Sequence, residues 1–152
     1  MARIKESINI VAAPTAVFRL CHDIARRPEW DTRVVGVELL TPAPLRRGSL
    51  VRVEAGRGGK FLFSWDAEYS GYQFPSSSTL KVLDAAPSSP FISGSETWQF
   101  SKSDDGTRFT LIWEYKPRGF IARIKDALGG RSAARRAIRR SLDNLKSLAE
   151  AG

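Results

Sequence analysis

Apolar and polar residues alternate with a period of two in several segments of this chain, a pattern typical of β-strands with one buried face. In the first segment Ile4, Ile8 and Ile10 share a face, and the segment ends in a turn at Ala13-Pro14. Clusters of glycine, proline and serine separate the later segments. The pattern predicts seven strands, at residues 4–10, 33–40, 51–55, 61–69, 79–83, 92–100 and 109–115.

Two other segments follow the helical period instead. Pro14 can occupy the first helical position, and Val17 and Cys21 then share a face, so one or two short helices are predicted after the first strand. From Phe120 onward a second amphipathic pattern predicts a helix of about 30 residues, roughly 45 Å long. Gly129-Gly130 lies inside it, and because two interior glycines cost about 1 kcal/mol each, a kink or break is predicted there.

The order of these elements is one strand, short helices, six strands and a long helix. Five of the strands have only one apolar face, which favours an antiparallel sheet that faces water on one side and a helix on the other. The sequence therefore predicts an α+β protein with a seven-stranded antiparallel sheet around a long C-terminal helix. A chain of 152 residues is close to the commonest domain size, so residues 1–152 are predicted to form one domain.

The net charge of +8 is unevenly distributed. Residues 116–152 contain ten Lys/Arg and three Asp/Glu, which gives this segment +7. A basic surface can attract nucleic acid, anionic lipid or an acidic protein. The arginines at 135, 136, 139 and 140 are not interleaved with aromatic residues, so an anionic membrane surface is favoured over nucleic acid as a partner of the helix.

Single copies of cysteine and histidine restrict the possible chemistry. Cys21 alone excludes an internal disulfide and a cysteine metal cluster, and His22 alone excludes multi-histidine metal sites and argues against a Ser-His-Asp triad. We predict no metal and no cofactor. The N-terminal segment has no apolar signal core, so a cytoplasmic location is expected.

Several short motifs resemble the polyketide cyclase/dehydrase branch of the START-like (SRPBCC, birch-pollen-allergen-like) superfamily. They lie in order at residues 10–18, 23–31, 106–110 and 142–146, with an Ala-Pro strand end, a Pro-x-Trp turn and a Gly-Thr-x-Phe strand start. The resemblance implies a helix-grip fold, in which a curved sheet holds the long helix and encloses a cavity. It implies no shared catalytic set, so no catalytic residue is carried over to this chain.

The inward-facing aromatic residues are the candidate ligand contacts, because pockets for apolar ligands are mostly hydrophobic with a few polar groups. Glu96 falls on the apolar face of its strand, where a carboxylate is either paired across the sheet or functional, so it is a weak candidate for an acid/base role. The candidate set is Phe61, Phe63, Trp65, Tyr69, Glu96, Trp98, Trp113, Tyr115, Ile124 and Leu128.

Three functions are compatible with these features. The first, which we prefer, is a non-catalytic carrier or sensor of a small hydrophobic molecule such as a lipid, an isoprenoid quinone or a polycyclic aromatic compound. The second is a polyketide-type cyclase or dehydratase in which Glu96 assists proton transfer. The third is a binding module for protein or nucleic acid that acts through the basic helix.

Overall fold

The computed structural model describes residues 1–152 and consists of one curved antiparallel sheet and six helical segments. The seven strands lie in the order β1-β7-β6-β5-β4-β3-β2, which confirms the predicted helix-grip fold. Their bounds are β1 Ala2–Ile10, β2 Val34–Leu39, β3 Leu50–Arg57, β4 Lys60–Gln73, β5 Ser77–Ala85, β6 Phe91–Ser103 and β7 Gly106–Pro117.

The helices lie at the two ends of the chain. After β1 come α1 (Pro14–Cys21), a single 3-10 turn (Ile24–Arg26) and α2 (Arg27–Trp30). After β7 come α3 (Gly119–Lys125), a wide turn (Asp126–Gly130) and α4 (Arg131–Ala151). None of these helices combines the length and the apolar character needed to cross a bilayer.

The long C-terminal helix is interrupted at the predicted glycine pair. Gly129 has φ of +155°, a backbone conformation that side-chain-bearing residues rarely adopt, while Gly130 is helical. Because the helical path changes at Gly129, the apolar face of α3 does not continue the buried face of α4. The kink therefore separates two helices with different surroundings.

The connections divide the molecule into two ends. The β3–β4 hairpin, the β5–β6 loop and α3 lie at one end, which we call the hairpin end; α1 and the β6–β7 turn lie at the opposite end. The α4 helix begins at the hairpin end and runs along β1, where Arg135 contacts Glu6 in the middle of the strand. At the opposite end the Glu150 carboxylate accepts a hydrogen bond from the Val11 N–H at 2.8 Å.

The opposite end contains the larger hydrophobic core. Ile138, Leu142 and Leu145 of α4 are buried there together with Phe18 of α1 and Phe109 of β7. A smaller cluster lies between β2, β3 and β4 and consists of Val34, Val51, Val53, Ala67 and Tyr69. Towards the hairpin end, α4 presents small side chains to the sheet, and the space between them stays open.

Candidate functional site

A cavity of about 1100 Å³ lies between the sheet and the α3–α4 region at the hairpin end. The residues that α4 contributes to this wall include Ala133, Ala134 and Ala137, whose short side chains fill little of the space. Most ligand pockets have volumes of roughly 300–1,000 Å³, so this space is large enough for a lipid-sized or polycyclic molecule.

Four aromatic rings form a cluster in the apolar part of the cavity wall. Phe91 is central, because its ring centroid lies 5.9 Å from that of Phe63, 5.2 Å from that of Trp65 and 5.1 Å from that of Trp113, all in edge-to-face contacts. The indole N–H groups of Trp65 and Trp113 donate no hydrogen bond within the protein. They are therefore available to an oxygen atom of a ligand or to water.

Five of the ten residues predicted as ligand contacts line this cavity. They come from β4, β6 and β7 and face the helix side of the sheet: Phe63, Trp65, Glu96, Trp113 and Tyr115. Their inward direction follows from the strand alternation that the sequence shows.

Phe61, Ile124 and Leu128 do not line the cavity. Phe61 pairs with Gly56 while Phe63 pairs with Ala55, so Leu62 is an extra residue in β4. This bulge ends the alternation: Phe61 is 52% exposed, and Leu62 lines the cavity instead. Ile124 and Leu128 lie before the kink at Gly129, and both are exposed, whereas Ala122, Lys125 and Asp126 line the cavity.

Tyr69 and Trp98 face inward as predicted but lie outside the cavity. Tyr69 is buried in the cluster between β2, β3 and β4. The ring of Trp98 packs against those of Trp30 and Phe109, in the core of the opposite end. Alternation indicates the face of a strand on which a side chain lies, but not how far along the strand the cavity extends.

Phe91 is the main cavity residue that the sequence did not indicate. The alternation of β6 placed Ile92 on the inner face, but a bulge between Phe91 and Ser93 puts Phe91 inside and leaves Ile92 exposed. Gly94 marks this region, because a Cβ there would lie 2.7 Å from Trp113 Cη2. A glycine in a strand interior is a signal of such close approach.

The polar part of the wall is a cluster of two arginines and two carboxylates. Arg33 donates to Glu96 Oε1 at 2.8 Å through Nη1 and to Asp31 Oδ2 at 2.9 Å through Nη2. Arg27 Nε donates to Asp31 Oδ2 at 2.9 Å, and its Nη2 lies 3.6 Å from Glu96 Oε2. Trp98 Nε1 donates to the same Glu96 oxygen at 2.8 Å. Both oxygens of Glu96 are thus occupied by structural partners.

The charges of this cluster are strongly stabilised. Burial alone would raise the pKa of Asp31, but the guanidinium groups of Arg33 and Arg27 outweigh it and hold that pKa well below its usual range. Burial likewise opposes the charge of Arg33, and Asp31 and Glu96 outweigh it, so the pKa of Arg33 is raised. The four side chains form a neutral ion-paired unit at the bottom of the cavity wall.

A second polar contact closes the cavity beside α3. The Tyr115 hydroxyl donates to Asp126 Oδ1, and Arg131 Nη2 donates to Asp126 Oδ2 at 2.8 Å. Burial and the Asp126 carboxylate raise the pKa of Tyr115 to about 12, so the phenol is neutral at physiological pH. This contact ties the wide turn before α4 to β7.

Neither Cys21 nor His22 belongs to this site. Burial raises the pKa of the Cys21 thiol well above its usual value. The ring of His22 is held on both sides, with Nδ1 2.8 Å from the Phe18 carbonyl oxygen and Nε2 2.8 Å from Ser78 Oγ. Both residues lie in the core of the opposite end.

The profile of the family described as polyketide cyclase / dehydrase and lipid transport matches residues 1–150. The chain belongs to this family. Membership confirms the resemblance found in the sequence motifs. The family description covers both enzymes and lipid transport, so membership alone does not decide between catalysis and binding. Among proteins with curated descriptions, none matches the sequence.

Solved structures with the same fold extend over nearly the whole chain. TTHA0849 from Thermus thermophilus is 19% identical, covers 99% of this chain and 98% of its own, and has a TM-score of 0.80. The ZhuI aromatase/cyclase from Streptomyces sp. R1128 is 15% identical over 98% and 93%, with a TM-score of 0.76. Major latex-like protein 151 from Panax ginseng is 12% identical over 96% and 95%, with a TM-score of 0.71. At these identities the likeness establishes the family fold alone.

Proposed function

We propose that the protein binds a small hydrophobic molecule in the cavity at the hairpin end. The observation that carries this proposal is the aromatic wall around Phe91, which borders an open space of about 1100 Å³ in place of a packed core. Apolar surface that faces an open space is not buried, so it lacks a stabilisation of about 25 cal/mol per Å². A ligand with a large apolar body would recover that free energy.

The polar groups of the wall support binding rather than proton transfer. A general acid or base needs a proton that it can release or accept at the reacting atom. Asp31 and Glu96 are instead held by guanidinium groups, and the Tyr115 hydroxyl is held by Asp126. No observation favours the cyclase hypothesis specifically, and Glu96 serves as an ion-pair partner of Arg33 and Arg27. The expected cytoplasmic location stays a prediction.

Replacing Ala134 with tryptophan should fill part of the cavity and weaken ligand binding. Ala134 lies on the cavity side of α4, so the added indole would occupy space that a ligand needs. We expect the Kd of the apolar fluorescent probe 1-anilinonaphthalene-8-sulfonate to rise at least tenfold, on the order of 1.4 kcal/mol. Fluorescence titration measures this change, and circular dichroism melting reports whether the variant folds.

Ser147→Trp is the matched control. Ser147 is exposed on the same helix and does not line the cavity, so the same side chain there should leave probe affinity unchanged. Native mass spectrometry after incubation with a total lipid extract would show whether a lipid is retained. The proposal is wrong if the wild-type protein retains no lipid and binds the probe no better than folded Ala134→Trp does.

A further inference from the structure

The entrance of the cavity lies at the hairpin end, because most of the residues that both line the cavity and are exposed to solvent lie there; Pro28, Arg136 and Arg140 form a smaller exposed group along α2 and α4. On one side these are Arg57, Gly58, Gly59 and Leu62, in and beside the β3–β4 hairpin. On the other side are Lys125 of α3 and Gly130 at the kink. The opening is therefore bordered by a hairpin tip and by a short helix.

Large apolar side chains project into solvent beside this opening. Phe120 and Ile121 of α3 are 71% and 69% exposed, and Leu128 after it is 82% exposed. Phe61 and Leu62 of the hairpin are also about half exposed. We call these residues, together with Ile124, the entrance surface. A group of exposed apolar residues on two neighbouring segments marks an interaction site, whereas single ones do not.

Basic residues surround the entrance surface. Residues 57–62 and 117–131 contain six Lys/Arg and one acid, Asp126, which is buried and already bound to Tyr115 and Arg131. Lys60 and Arg123 form no ion pair and no side-chain hydrogen bond. Exposed apolar side chains ringed by free cations are complementary to a bilayer whose headgroups are anionic.

We infer that the entrance surface docks on an anionic lipid bilayer, with Phe120 and Ile121 inserted among the headgroups and the cavity opening towards the membrane. Docking itself follows from exposure and charge. Docking would let an apolar ligand pass between the bilayer and the cavity without crossing water. This role of docking rests on the proposed function.

This inference assigns membrane contact to a different surface from the arginine-rich face of α4. Arg135 and Arg139 are both bound to Glu6, at 3.2 and 2.6 Å. Lys146 is bound to Glu150 at 2.6 Å. These three cations hold α4 on the molecule and are paired with acids, as Arg131 is with Asp126. Arg136 and Arg140 of α4 form no ion pair, but α4 has no large exposed apolar side chain beside them. Only the surface around α3 combines unpaired cations with exposed apolar side chains such as Phe120 and Ile121.

Vesicle binding tests the role of the apolar side chains. We expect the wild-type protein to cosediment with vesicles of phosphatidylcholine mixed with phosphatidylglycerol, and much less with phosphatidylcholine alone. Phe120→Ser combined with Ile121→Ser should lower the partition coefficient by about tenfold or more, because two large apolar groups are lost. Val11→Ser, at an exposed position of the opposite end, should have no effect.

Charge reversal tests the role of the cations. Lys60→Glu combined with Arg123→Glu should lower the partition coefficient at least tenfold at low salt, and less at high salt. Lys102→Glu combined with Arg108→Glu makes the same change in net charge on exposed residues of the β6–β7 hairpin, at the opposite end. We expect this control to retain most of the vesicle binding.

Neither docking variant alters a residue that lines the cavity, so both should bind the naphthalene probe in solution like the wild-type protein. Loss of vesicle binding with normal probe binding supports the inference. The inference is overturned if the wild-type protein does not bind anionic vesicles, as expected if a protein covers this surface instead. Equal losses in the Lys60/Arg123 and Lys102/Arg108 variants would also overturn it. Failure of probe binding alone would count only against the proposed function.

Discussion

Replacing Asp31 with alanine should lower the free energy of unfolding by about 3–5 kcal/mol, the range found when one partner of a buried ion pair is removed. Asp31 is fully buried and accepts hydrogen bonds from both Arg27 and Arg33. Without it, two guanidinium groups share only Glu96, and one buried positive charge is left without compensation. Urea denaturation followed by tryptophan fluorescence measures the change.

Asp66→Ala provides the matched comparison. Asp66 also pairs with an arginine, Arg52 Nε at 2.8 Å, but this pair lies on the exposed surface of β3 and β4. Exposed pairs contribute little to stability, so the variant should unfold at nearly the wild-type urea concentration. If Asp31→Ala were as mild as Asp66→Ala, the cluster would not stabilise the fold.

Acidification from pH 6.5 to pH 4 should lower the free energy of unfolding by about 3 kcal/mol through His22, at roughly 1.4 kcal/mol per pH unit. Burial lowers the pKa of His22 from 6.5 to about 4, against the effect of the hydrogen bond to the Phe18 carbonyl. In this window the unfolded chain binds a proton that the folded protein does not. The contribution is fully present above pH 6.5 and is lost as the pH falls towards 4.

His22→Gln isolates this contribution. The variant should be less stable at neutral pH, because packing against Phe18 and the contact with Ser78 Oγ change, but its stability should vary less between pH 6.5 and 4. The charged or titratable groups that act on the ring, Arg27 above all, remain in both proteins. Asp31 gains its proton only at lower pH. Parallel pH profiles for the two proteins would show that His22 is not responsible.

The sequence was sufficient for the fold because each strand and helix has its own local signal. Alternation and turn residues located all seven strands, and Gly129-Gly130 located the kink. The inward direction of Glu96 was also correct, and the paired state that the sequence left open is the one the structure contains, with Arg33 as the main partner.

Only five of the ten predicted ligand contacts line the cavity, because three structural features that decide which residues face it leave no periodic pattern in the sequence. A bulge at Leu62 reverses the direction of Phe61, and one beside Phe91 exchanges the places of Phe91 and Ile92. The change of helical path at Gly129 exposes Ile124 and Leu128. Trp98 lies outside the cavity for another reason. Its inward direction was predicted correctly, but only the three-dimensional packing shows where the filled core ends and the cavity begins.

The opposite end is filled with packed side chains and the hairpin end contains the cavity, so substitutions at the two ends have different effects. Substitutions among the tightly packed side chains around Phe109 and Ile138 change the stability of the whole molecule. Substitutions at Ala133 and Ala137 of α4 alter the shape of an open space and lie outside the core clusters. The shape of the cavity can therefore vary among proteins built on this plan without loss of stability, because the packing that preserves the architecture lies at the other end.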